Sequence, residues 1–256
     1  MARSVTARAA LAAGAVLLLV GAGTACGASA SDDEDPDHRA FALTGTTLTV
    51  DSDDSALEIV ATDAAPAGKV EVTRWFKGSV VFGSDPKATW SMKDGRLVLR
   101  ARCSGVVADC AARHRIVVPR GVAVTVGSDD GSVRAQGFTR PLSVRTRDGS
   151  IDVSDSTGPL DLRSDDGSVR ADGSSPRVAA RTRDGSIDLR FAAVPDRVSA
   201  DSDDGAVTVT LPHATYRVTT RTDDGSVDVS VPRDGQSAHT VTATTRDGRV
   251  TVRAAT

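Results

Sequence analysis

The sequence contains no asparagine. It therefore carries no acceptor for N-linked glycan, and its tight turns must rest on Asp-Gly where Asn-Gly would serve equally well. Aromatic residues are only 3% of the 256, so any core must be aliphatic. Lysine is rare, 4 against 27 arginines, and the formal net charge is −3 with the signs interspersed. That balance argues against nucleic acid and against a polybasic membrane patch. Gly-x-Ser-x-Gly, His-Glu-x-x-His and the phosphate-binding P-loop are all missing. The carboxylates fall in repeats, turns and an acidic N-terminal stretch, and none is set apart as paired-carboxylate glycoside chemistry requires. The expectation is a chain that is not an enzyme and takes no cofactor.

One apolar run stands out, 9–22, preceded by Arg3 and Arg8 and followed by Gly23-Thr24-Ala25-Cys26. This reads as a signal peptide over 1–25, too short and too rich in Ala and Gly for a spanning helix. Cys26 after small residues resembles a bacterial lipobox. The resemblance implies cleavage before Cys26, diacylglycerol on its thiol, and anchoring to the outer face of the cytoplasmic membrane. Gly23 departs from that pattern, since lipoboxes usually carry Leu three residues before the Cys. The alternative is cleavage near Ala30, which would release a soluble protein. Residues 26–40 are small and acidic and read as a disordered tether of on the order of 20 Å. Cys103 and Cys110 have six residues between them, and in an exported protein such a pair reads as a disulfide. A metal site there would find only His114 nearby.

From 128 onward one signal recurs: SDDGSV, TRDGSI, SDDGSV, TRDGSI, SDDGAV, TDDGSV, TRDGRV. Its glycines, 131, 149, 167, 185, 205, 225 and 248, are spaced by 18, 18, 18, 20, 20 and 23 residues. A fixed period of this length marks one repeated supersecondary unit. Each unit holds two runs alternating apolar and polar, as half-buried strands do. Leu160, Leu162 and Val169 share the inward parity of one unit, and Ile187, Leu189 and Val198 follow in the next. The last inward position before each Asp-Gly is a small hydroxyl residue: Ser128, Thr146, Ser164, Thr182, Ser202, Thr222 or Thr245.

Two strands in 18–20 residues fit either a parallel solenoid or an antiparallel meander. Charge favours the solenoid. The residue before each turn Asp runs Asp129, Arg147, Asp165, Arg183, Asp203, Asp223, Arg246, so the sign alternates over the first units. In a solenoid such positions are neighbours about 4.8 Å apart, and alternation replaces repulsion with pairing. The all-β expectation is thus a β-solenoid of 18–23-residue coils over 128–256. Residues 41–127 would be an irregular N-terminal cap holding Trp75, Phe76, Phe82 and Trp90, with Asp94-Gly95 two periods before Gly131.

The run 115–126 and the succession of Asp-Gly-Ser-Val and Asp-Gly-Ser-Ile turns resemble a bacterial putative-adhesin family of β-strand-repeat domains of unknown function. The resemblance covers 41–256 and implies a right-handed single-strand β-helix without assigned catalytic residues. The turn aspartates 130, 148, 166, 184, 204, 224 and 247 raise the question of a Ca²⁺ ladder. Calcium-binding rolls need Gly-Gly-x-Gly-x-Asp, absent here, and Asp as a turn former tolerant of left-handed backbone accounts for the column without metal. The segments 191–196, 212–216 and 232–239 interrupt the period and should cluster on the edge opposite the turns. Phe191, His213, Tyr216 and His239 mark that edge as the candidate binding surface. The functional expectation is an envelope lipoprotein acting as an adhesin, binding or structural module. Its partners would be the membrane through the anchor, and a cell-wall glycan or another envelope protein. The alternatives are a sensor domain working through a membrane protein and, more remotely, a polysaccharide-active β-helix enzyme.

Overall fold

The computed structural model describes residues 29–255. Its strands are β1 (Asp37–Ala42), β2 (Thr47–Ser52), β3 (Ser55–Thr62), β4 (Lys69–Lys93), β5 (Arg96–Pro119) and β6 (Ala123–Ser128). There follow β7 (Val133–Gln136), β8 (Leu142–Thr146), β9 (Ile151–Ser156), β10 (Leu160–Ser164), β11 (Val169–Gly173) and β12 (Arg177–Asp184). The last are β13 (Ile187–Phe191), β14 (Arg197–Asp204), β15 (Val207–Leu211), β16 (Arg217–Arg221), β17 (Asp224–Val229) and β18 (Thr240–Ala254).

Alternating sequence becomes strand because burying every second side chain needs a period of two. β10 buries Leu160, Leu162 and Ser164, and β11 buries Val169 and Ala171. Asp165-Asp166-Gly167 turns the chain between them. Coils then pair in parallel and in register: Leu160 lies between Leu142 and Val178, and Val169 between Ile151 and Ile187. The result is a solenoid-like all-β fold with two parallel faces. A front sheet contains β2, β6, β8, β10, β12 and β14, and a rear sheet contains β3, β7, β9, β11, β13 and β15. The core is the aliphatic filling between them, with Val126, Val144, Leu162, Ile187 and Val209 almost wholly buried. Truncating one such Leu or Ile to Ala costs about 2–5 kcal/mol.

The hydroxyl column lies inside the corner and joins coil to coil. Thr146 donates to Asp129 O (3.0 Å), Ser164 to Gly149 O (2.9 Å), Thr182 to Gly167 O (2.8 Å) and Ser202 to Gly185 O (2.9 Å). The corner glycines answer to close approach: a Cβ on Gly167 would fall 2.2 Å from Gly149 O. The turn aspartates are not in left-handed backbone. Among the described residues only Phe82, Asp94 and Asp155 combine a side chain with positive φ. The left-handed explanation of the aspartate column is therefore corrected, since the tight stacking of successive corners sets the turn chemistry.

Coil order differs from chain order at the C-terminal end. β18 pairs on one side with β14 and β15 and on the other with β16 and β17. The final strand thus lies inside the stack, and β16–β17 form the outermost coil. The hydroxyl column follows the spatial order: Thr245 donates to Gly205 O (2.9 Å) and Thr222 to Gly248 O (3.2 Å). The inward residues of the outermost coil have nothing beyond them, so Val218 and Val229 are half-buried and Val227 is 45% exposed.

The N-terminal end repeats the device. β2 and β3 form a regular coil against β6 and β7, with their corner at Asp53-Asp54. The chain then runs outward to β4 and β5, an antiparallel ribbon that covers this coil, and returns at β6. Asp94-Gly95 is the hairpin turn of that ribbon, with φ of +50° and +74°, and not a solenoid corner two periods before Gly131. β1 lies antiparallel on β4. It takes in residues 37–40, which composition had placed in the tether, because pairing with β4 satisfies their backbone.

Candidate functional site

Cys26 and the signal segment lie outside the described residues. Cys103 and Cys110 are joined, with Cα atoms 6.2 Å apart, and the bond spans the bend of the β4–β5 ribbon.

The widened loops do gather opposite the Asp-Gly corners, but as a packed closure. Tyr216 is wholly buried; its hydroxyl donates to Pro212 O at 2.9 Å, and burial raises its pKa. The His239 ring stands edge-on to Tyr216 at 6.3 Å, and its Nδ1 lies 2.9 Å from Pro195 O. Phe191 is buried as well. Of the four residues singled out from sequence, His213 alone is exposed. Two aromatic residues beside prolines in a chain poor in aromatics are core plugs here, and burial removes them from the surface. Among the described residues no three His, Cys, Asp or Glu side chains converge as metal ligands.

On the opposite edge the turn aspartates stack into a column, extended at one end by Asp54. Hydrogen bonds to Asp130 and Asp166 raise the pKa of Asp148. Partial desolvation and the carboxyls of Asp166 and Asp204 raise that of Asp184. Desolvation and Asp204 raise that of Asp247, and desolvation and Asp130 that of Asp54. Like charges a strand apart cannot all ionise independently, so alternate members of the column take up protons first as the pH falls.

The two broad faces differ in charge. On the rear sheet the register places Arg134, Asp152, Arg170 and Asp188 side by side, alternating in sign. On the front sheet Arg145, Arg163 and Arg181 are consecutive neighbours, and so are Arg177 and Arg197. Asp161 binds Arg163 at 3.0 Å and Asp201 binds Arg181 at 3.2 Å; among the described residues no carboxylate pairs with Arg145. Between these arginine columns runs a shallow trough of about 320 Å³. Its lining includes Thr125, Ser143, Asp161 and Ala179, with Pro141 and Pro159 from neighbouring coils and Arg177 and Arg197 at one side. Stacked like charges cost stability. A local rule broken on one face and kept on the other marks the broken face as the one with a further use. Sequence inspection missed it, although the 18-residue period already aligned Arg145, Arg163 and Arg181.

No curated protein matches this sequence. Among solved structures, a putative adhesin from Bacteroides fragilis is similar at 14% identity, over 90% of this chain and 100% of that one, with a TM-score of 0.50. A putative cell adhesion protein from Clostridium sporogenes is similar at 12% identity, over 86% of this chain and 100% of that one, with a TM-score of 0.32. The first supports the fold alone. The model of the Toastrack family, DUF4097, matches residues 119–256, which hold all the regular coils from β6 to β18 together. The chain belongs to the Toastrack family of domains of unknown function.

Proposed function

We propose that this chain is a non-catalytic binding module of the bacterial envelope, adhesin-like, held to the membrane through Cys26, whose front sheet takes a linear anionic wall polymer. One observation carries the reading: the charge alternation kept on the rear face is broken on the front by Arg145, Arg163 and Arg181, in register beside a trough lined by small, hydroxyl and proline side chains with Asp161, Arg177 and Arg197. Guanidinium groups repeating at about 4.8 Å suit a ligand with an anion on each repeat, because their planar forks match carboxylate and phosphate. Serine and threonine hydroxyls in the trough would meet sugar hydroxyls, and the proline rings would meet the apolar ring faces. The Bacteroides fragilis structure of like fold is itself described as a putative adhesin, which accords with such a role. The test is a photocrosslinking residue in place of the exposed Ala179 in the producing cells. Capture of a wall polymer rich in carboxylate or phosphate is expected. Reproducible capture of one membrane signalling protein would replace this reading with the sensor alternative.

A further inference from the structure

The largest exposed apolar side chains among the described residues gather at one place. Val81 (51% exposed), Phe82 (85%), Val106 (81%) and Val107 (61%) lie at the bend of the β4–β5 ribbon. Val81 pairs with Val107 and Gly83 with Gly105, so the four form a single apex. The ribbon leaves the solenoid at the first coil's corner, where Leu99 lies beside Ser52 and Ala112 beside Ser55. Its two limbs fold close: a Cβ on Gly78 would fall 2.6 Å from Cys110 Sγ and 2.7 Å from Pro86 Cβ. The Cys103–Cys110 disulfide ties the bend. Phe82 sits at φ +53°, a conformation that bulky residues rarely adopt. The bend therefore holds an aromatic ring in solvent, and exposed apolar clusters of this kind mark contact sites.

The N-terminal segment indicates what the apex meets. Asp33 Oδ2 accepts from Phe76 N at 2.9 Å, at the foot of the ribbon. Phe82 is six residues farther along, about 20 Å in extended chain. A single 3-10 turn, Ala30–Asp32, seats the chain against β4 and β5 just before Asp33, and Cys26 is only three residues before its Ser29 cap, at most about 11 Å of extended chain. Anchor and apex thus reach the same plane. We infer that the apex of the β4–β5 ribbon is a second membrane contact, seated at the boundary of headgroups and acyl chains in the bilayer that holds Cys26, and that it sets the orientation of the anchored solenoid. The inference rests on the lipoprotein reading. Lys77, Lys87 and Arg102 are exposed along the limbs and suit anionic headgroups, while Asp85 at the bend keeps insertion shallow. Four side chains fall well short of the ~800 Å² per partner of a stable protein interface.

The lipidated full chain carrying Phe82→Trp, reconstituted in vesicles of phosphatidylglycerol and phosphatidylethanolamine with brominated acyl chains, tests this. The new indole should emit blue-shifted and be quenched beyond the signal of the unmodified protein, whose Trp75 and Trp90 pack against arginines of the cap. Protein that floats with the vesicles while the new indole emits as in water overturns the ribbon contact and leaves the anchor reading intact. Unmodified protein that stays off the vesicles as completely as Cys26→Ser overturns the anchor reading, and the ribbon contact falls with it. In cells, a photocrosslinker at 82 that captures a protein instead of lipid also overturns it.

Discussion

His114 is buried in the N-terminal cap with neither ring nitrogen hydrogen-bonded. Burial, and secondarily the Arg74 guanidinium, lower its pKa from 6.5 to about 4. Between those values the unfolded chain binds a proton that the folded chain does not. Stability is therefore full above pH 6.5 and falls toward pH 4, by up to about 3 kcal/mol. Asp54, Asp148, Asp184 and Asp247 act in the opposite sense. Their raised carboxyls take up protons in the folded state first, so acidification through that range favours folding. Thermal unfolding from pH 7 to 4.5 should show a marked fall in Tm for the native chain and a smaller fall for His114→Leu; equal falls would remove His114 from the account. The corner offers a second test at this scale. Gly167→Ala, forced against Gly149 O, should lose about 1–3 kcal/mol in denaturant unfolding. Gly235→Ala, with nothing within 4 Å of the added carbon, should be close to neutral.

At the scale of strands, charge and backbone agree on an order the chain does not follow. Read along the sequence, the residues before the turn Asp end Asp203, Asp223, Arg246, and the alternation fails. Read through the stack, they end Asp203, Arg246, Asp223, and it is restored; Arg246 binds Asp203 at 3.3 Å. The period, the inward parity and the hydroxyl column were legible because they are local. The insertion of β18 was not, because strand pairing is nonlocal, yet the two successive aspartates carried its trace. The coil of β2 and β3 was equally hidden. Its Ser52-Asp53-Asp54-Ser55 corner resembles the later ones, but the ribbon separates it from Ser128 by 76 positions. The front-face arginines were legible and passed over, since attention to the turns follows residues flanking Asp-Gly and not those two positions further out. The outermost strand shows Asp224 and Asp228 along its open edge, and like charge there opposes end-to-end pairing of two copies. Paired cysteines test the order: Ser199→Cys with Thr242→Cys lie on neighbouring strands at a separation that suits a disulfide and should oxidise readily. Ser199→Cys with Thr219→Cys, two strands apart, should not; the reverse result would restore chain order.

As a whole the described molecule is a two-faced rod. β2–β3 and β18 each have a neighbour on either side, and the outermost layers are the ribbon, with β1 laid on β4, and the β16–β17 coil. The rear face cancels its own charge, the corner edge is acidic, and the front face concentrates arginine beside its trough. The front face as the binding surface is the central claim. Its most direct test is calorimetric titration of the protein with polygalacturonate and with poly(glycerol phosphate), neutral dextran serving as control. Binding of at least one polyanion that weakens with salt is predicted, along with no heat from dextran. Arg145→Glu combined with Arg181→Glu should lose at least about tenfold in affinity, ~1.4 kcal/mol. No heat from either polyanion, or affinity unchanged by the double reversal, would contradict it.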